Sequence, residues 1–167
     1  KSSTTTYHVV SREFELPELK LLVDAVQASK FISPKKSNDI IKKLENLTSK
    51  YEATQLQRQV YVANRIKNMN GSVLYTVDDI HRAITENKKI TFQYYEWNMH
   101  REKQLKHDGK TYVASPWALT WDDENYYLAA YDSDAEIIKH YRVDKMRSIA
   151  VTDEMREGEE SAGKVDV

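Results

Sequence analysis

No cysteine occurs in the 167 residues, which excludes a disulfide scaffold and any cysteine-ligated zinc or iron–sulfur site. No stretch approaches the roughly 20 consecutive apolar residues of a membrane span. Nor does any N-terminal stretch join basic residues, an apolar run and a small-residue cleavage site, so a soluble cytoplasmic protein is expected. With only four glycines, the chain has no GxxxxGK phosphate loop, no GxGxxG turn and no glycine-flanked nucleophile elbow. The five histidines, His8, His81, His100, His107 and His140, lack HxxxH or HxH spacing, so no metal site and no cofactor are expected. Neither sign of charge dominates. A formal net charge of -1 argues against a bulk binder of duplex DNA, although 31% charged residues leave room for a local basic face. A non-enzymatic role is the expectation.

What is present falls into two patterns. From Glu15, Leu19, Leu22, Val23 and Val26 recur at helical spacing, with Pro17 tolerated in the first turn. A second helix is predicted after Ser33 as cap and Pro34 at the first helical position, with Ile40, Ile41, Leu44 and Leu47 as its stripe. Lys35, Lys36, Lys42 and Lys43 accompany it and read as a solvated face. Residues 50–62 are either a third helical segment or a loop. Asn70-Gly71-Ser72 is the clearest break. Thr76 is predicted to cap a further helix over 77–87, with Asp78 and Asp79 in its first turn.

After Lys89 the period falls to two. Ile90, Phe92 and Tyr94 alternate with Thr91, Gln93 and Tyr95, which is strand behaviour. Asp108-Gly109 signals a hairpin between Glu102–Lys106 and Lys110–Ala114. Trp117, Leu119 and Trp121 lead to a turn at Asp122–Asn125. Tyr126 to Tyr131 and Ile137 to Val143 are further strands, and Ile149 to Thr152 ends the set. Five or so short strands with tight turns fit a small SH3-like (Sm-like) antiparallel β-barrel, plugged at one rim by the preceding helix. The fold class is therefore α+β. Three regions are expected: a helical linker or dimerisation region over 1–75, the barrel over 76–152, and an acidic tail or the start of a C-terminal extension over 153–167.

The strand segments also resemble those of the WYL domain of bacterial helix-turn-helix transcriptional regulators, named for a Trp-Tyr-Leu triplet. Tyr126, Tyr127 and Leu128 stand at the triplet, with another aromatic in place of the first letter. Ile90–Tyr94, Ser115-Pro116-Trp117-Ala118-Leu119 and Tyr141-Arg142-Val143-Asp144-Lys145-Met146 match the family's other segments in order and spacing, over roughly 76–152. The resemblance implies a ligand-sensing barrel, dimeric as in its parent regulators. It also implies that operator DNA is read through an N-terminal domain missing from this sequence.

Candidate site residues come from strand parity. His140 and Arg142 share one face of a strand and Tyr141 and Val143 the other, so burying the latter pair leaves the former outside or at a mouth. A guanidinium beside an imidazole suits phosphate or carboxylate capture. The resemblance assigns the matching arginine to the family's basic ligand site. The alternatives are an ordinary exposed pair, or an Arg142 bridge to Asp144 or Glu136. Tyr94, Tyr126 and Tyr127 could stack a base or fill the barrel; Tyr127 points opposite to Tyr126 and Leu128 and is the better ligand candidate. Ser115 could donate a hydroxyl to a phosphate oxygen or be a plain strand-end serine. Arg101, Lys103, Lys106, His107 and Lys110 form either a solvated hairpin or the rim of a basic site. Trp97, Trp117 and Trp121 are expected in the core or against the linker. The ligand-binding set is thus Arg142, His140, Tyr127, Tyr94 and Ser115, with a nucleotide or single-stranded nucleic acid as effector. The competing expectation is a protein-interaction or dimerisation module without a small ligand.

Overall fold

The computed structural model describes residues 14–48, 50–56 and 72–163. The chain divides into two compact units, one of Lys1–Ser29 with Pro34–Ile66 and one of Lys30–Ser33 with Lys67–Val167.

The first unit is helical. Helix α1 (Leu16–Ala28) begins where the Glu18 carboxylate accepts the Glu15 backbone N–H at 2.8 Å, with Pro17 inside the first turn where no intrahelical donor is needed. Pro34 opens α2 (Pro34–Glu45) for the same reason. The ambiguous stretch after Lys50 forms α3 (Lys50–Leu56), and the remainder of 50–62 lies outside the described residues. Leu19, Val23, Ile41 and Leu56 make the core of this unit, flanked by Leu16, Val26 and Leu44.

The second unit is one helix against a curled antiparallel sheet. Helix α4 (Val73–Thr85) starts earlier than the capping pattern predicts. Thr76 lies inside it, buried, and its hydroxyl donates to the Ser72 carbonyl one turn back at 3.1 Å. That local bond satisfies the hydroxyl without ending the helix. Val73, Val77, Ile80 and Ala83 form its buried stripe.

Six strands follow: β1 (Lys88–Trp97), β2 (Lys103–Leu105), β3 (Tyr112–Asp122), β4 (Asn125–Asp132), β5 (Ile137–Arg142) and β6 (Met146–Met155). Their order is β2-β1-β3-β4-β5, with β6 also on β1. No ladder joins β5 to β6 among the described residues. A short 3-10 turn at Val143–Lys145 makes that corner, and the sheet is barrel-like without a fully hydrogen-bonded seam.

The Asp108-Gly109 signal does not join a hairpin. β2 pairs with the C-terminal end of β1 (Tyr95 opposite Leu105) and β3 with its N-terminal half (Ile90 opposite Ala114). The turn instead carries the chain between two separate ladders. His107 and Asp108 both adopt left-handed backbone there, ahead of Gly109 at φ 81°.

Strand parity on β1 sets the core. Ile90 and Phe92 are fully buried, and Phe92 stacks on Tyr112 at 5.5 Å while meeting Tyr141 edge-on at 5.1 Å. Leu128, Ala130, Val143 and Met146 complete this core. The opposite parity turns outward and takes Trp97 with it, 64% exposed and not in the core. Trp121, at the end of β3, is half exposed and meets Phe31 and Tyr126 edge-on at 5.2 and 4.7 Å. Trp117 is the extra residue of a bulge between Pro116 and Ala118, a place that tolerates a proline without a donor.

The acidic stretch is built into the sheet at its start. Strand β6 runs to Met155, and the next residues strap the outer surface. The Arg156 guanidinium lies 3.9 Å over the Trp117 ring and donates to the Pro116 carbonyl and the Asn87 side chain, both at 2.9 Å. Gly158 sits at φ 84° with the Tyr131 ring so close that an added Cβ would lie 2.2 Å from it, so only glycine fits. A single helical turn, α5 (Glu159–Ala162), ends the described chain.

Candidate ligand-binding site

Strands β4 and β5 bring three of the five candidate residues onto one face. Arg142 stands directly opposite Tyr127 in the ladder, and His140 lies two residues back, opposite Ala129. Leu128 and Tyr141, the intervening pair, point into the core. His140 is exposed and has no hydrogen bond or ion pair with any described residue, while Tyr127 is half-buried.

Arg142 is held on one edge. Its Nε and Nη2 donate to the two oxygens of Asp144 at 3.1 and 2.9 Å, and Nη2 also approaches Asn125 Oδ1 at 3.3 Å. This forked pair fixes the guanidinium plane and pushes its pKa further up, keeping it charged. The Nη1 group has no partner among the described residues. The bridge to Asp144 weighed from the sequence is therefore formed, and it offsets part of the positive charge on this face.

Tyr94 is placed differently. Its ring is on the inner side of β1, edge-on to Phe92 and Tyr141, and its hydroxyl accepts the Arg142 backbone N–H at 3.0 Å. Burial raises its pKa, outweighing that hydrogen bond. Tyr94 thus anchors the Arg142 backbone from below. Ser115 is further removed. It is wholly buried, and its hydroxyl accepts the Glu157 backbone N–H at 2.9 Å within the C-terminal strap. The structure groups Arg142, Tyr127 and His140, with Tyr94 as support, and keeps Ser115 apart.

Two concave regions of this unit lie elsewhere. One, of about 370 Å3, includes Lys89, His107, Lys110, Tyr112, Asp132 and Lys139. Lys139 pairs with Asp132, whose carboxyl is held below its usual value by that bond, and Lys89 lies 3.4 Å from Glu154 and Glu157, so charge there is largely balanced. The other, of about 550 Å3, lies between α4 and the outward residues of β1, β2 and β6, with Tyr75, Tyr95, Lys103 and Arg147 in its wall. Sequence reasoning noted Lys103 only as part of a basic hairpin and passed over Tyr95 and Arg147. The available signal was the outward parity of Tyr95 on β1; its meeting with Arg147 depends on a ladder between distant segments.

Residues 75–151 match the family model of the WYL domain. No curated protein matches the chain significantly. Among solved structures, the proteasome accessory factor B/C (PafBC) of Arthrobacter aurescens is similar over 90% of this chain, at 18% identity and a TM-score of 0.45. The chain spans 22% of that protein's length.

Proposed function

We propose that this chain is the effector-sensing, regulatory portion of a bacterial transcriptional regulator, and that its WYL domain binds an anionic ligand, a nucleotide or single-stranded nucleic acid. The observation that carries the reading is one side of β4–β5, where the partly exposed Arg142 and Tyr127 are directly opposed and the exposed His140 is adjacent. A guanidinium oriented by Asp144 and charged at all working pH values offers its Nη1 edge to a phosphate oxygen, and the Tyr127 ring beside it can take a base. Occupancy would favour one arrangement of paired subunits over another and so regulate without chemistry. The test is titration of a labelled oligo(dT) strand into the full chain. Arg142→Ala should weaken binding about tenfold or more while leaving the melting temperature near the parent's. Unchanged affinity would remove Arg142 from the site.

A second reading is a protein-interaction or dimerisation module with no small ligand. It is favoured by the carboxylate already bound to Arg142 and by the exposed tip of the β1–β2 hairpin, where Trp97 is 64% and Met99 97% exposed. Salt separates the two: binding through phosphates weakens as ionic strength rises, whereas an apolar interface scarcely responds.

A further inference from the structure

The groove between α4 and the outer side of β1, β2 and β6 contains a different arrangement of charge. Lys103 Nζ lies 4.3 Å from the centroid of the Tyr95 ring, and Arg147 Nη1 donates to the Tyr95 hydroxyl at 2.8 Å. One phenol therefore gathers two cations from strands that are far apart in sequence. Neither cation has a carboxylate partner among the described residues. The acid nearest in the lining, Asp79, is taken by Arg82 at 2.6 Å. Two like charges held together without a counter-charge raise the local potential and form a place where an anion is stabilised.

Backbone geometry at the same place is also unusual. In the β1–β6 ladder Thr91 opposes Ala150 and Gln93 opposes Arg147, so Phe92 alone faces Ser148 and Ile149. Ser148, the extra residue of this bulge, adopts φ 53°, a left-handed conformation that a serine holds only where its surroundings enforce it. The bulge directly follows Arg147 and lines the groove. Across from it Tyr75 of α4 presents a ring that is 58% exposed. The volume, about 550 Å3, falls within the ordinary range of small-molecule sites.

We infer that this groove is a second anion site, which binds a nucleoside monophosphate with its phosphate between Lys103 and Arg147 and its base against Tyr75. The site does not depend on the Arg142 face, and the two are separable by experiment.

The test is calorimetric titration of the full chain with adenosine 5′-monophosphate at low salt, with adenosine and inorganic phosphate as partial probes. The whole nucleotide should bind about tenfold or more tightly than either part. Lys103→Ala combined with Arg147→Ala should weaken it by a similar factor, and Arg147→Lys should retain most of the binding. Tyr75→Ala should weaken the nucleotide while leaving phosphate unchanged, and in an Arg142→Ala background the Lys103/Arg147 double substitution should still produce its loss. The three substituted residues of the groove are at the surface, and an unchanged melting temperature confirms that each variant is folded. Failure of the nucleotide to bind, or equal affinity in the Lys103/Arg147 double variant, overturns the inference. Nucleotide binding that Arg142→Ala removes and the Lys103/Arg147 double variant leaves intact overturns it while leaving the proposed function standing.

Discussion

Two arginines of one sheet show how the same side chain is put to different use. Arg142 ends β5 with a carboxylate on its Nε and Nη2, a phenol oxygen under its backbone amide and about a third of its side chain exposed. Arg147, on β6, meets a phenol hydroxyl and has no described carboxylate beside it. The first is oriented and partly neutralised, the second exposed and bonded to a neutral phenol. The adjacent tyrosines of β1 supply both contacts, Tyr94 from the inner face and Tyr95 from the outer. A paired cation recognises through the direction of its remaining donors, and an unpaired one through charge.

Removing the shared foundation should erase the contrast with the largest effect. Phe92, on the strand that carries both tyrosines, is fully buried in the core, so Phe92→Ala should lower stability by roughly 3–5 kcal/mol in chemical denaturation and weaken both sites together. Loss of one site alone would mean that the two are supported independently.

Alkaline titration comes next. Burial pushes the Tyr141 phenol up to about 12, above the value near 10 of the unfolded chain. The folded state holds that proton more tightly, so the associated stability is complete below about pH 10 and is lost as pH rises towards 12; the difference amounts to roughly 2–3 kcal/mol. Urea denaturation at stepped pH should show this decline in the parent, and a shallower one in Tyr141→Phe.

The tyrosine pair gives a sharper and smaller contrast. Tyr94→Phe leaves the Arg142 amide without its acceptor and should cost about 1–2 kcal/mol. Tyr95→Phe removes an exposed contact to Arg147 and should change stability by less than about 0.5 kcal/mol, visible as near-identical denaturation midpoints. Asp144→Ala is likewise a small change in stability. Because the Arg142–Asp144 pair is partly exposed, the loss should stay within about 1 kcal/mol. Oligonucleotide affinity should nevertheless rise several-fold as the guanidinium is released, measured by anisotropy.

Much of the architecture was legible because it rests on local periodicity. The alternation at Ile90–Tyr95, the proline opening α2 and the parity of Arg142 against Tyr141 all depend on neighbours within a few residues. Thr76 misled because a hydroxyl that caps can equally bond back to the preceding turn. Asp108-Gly109 gave a turn but not its strand partners, since pairing with β1 is decided by distant segments. The same limit hid the groove, where Lys103, Tyr95 and Arg147 meet only through two ladders. Ser115 stood beside the right proline, yet its hydroxyl is taken by a strap some forty residues on, at Glu157. Trp97 looked like a core residue by type, and strand parity put it outside.

The most direct test of the proposed ligand-binding face is amide chemical-shift mapping of the full chain as oligo(dT) is added. Shifts concentrated at Tyr127, His140 and Arg142, fading in Arg142→Ala, are the outcome expected here. Shifts confined to the Trp97–Met99 tip, or to the Lys103 and Arg147 groove, with the β4–β5 face unmoved, would contradict it.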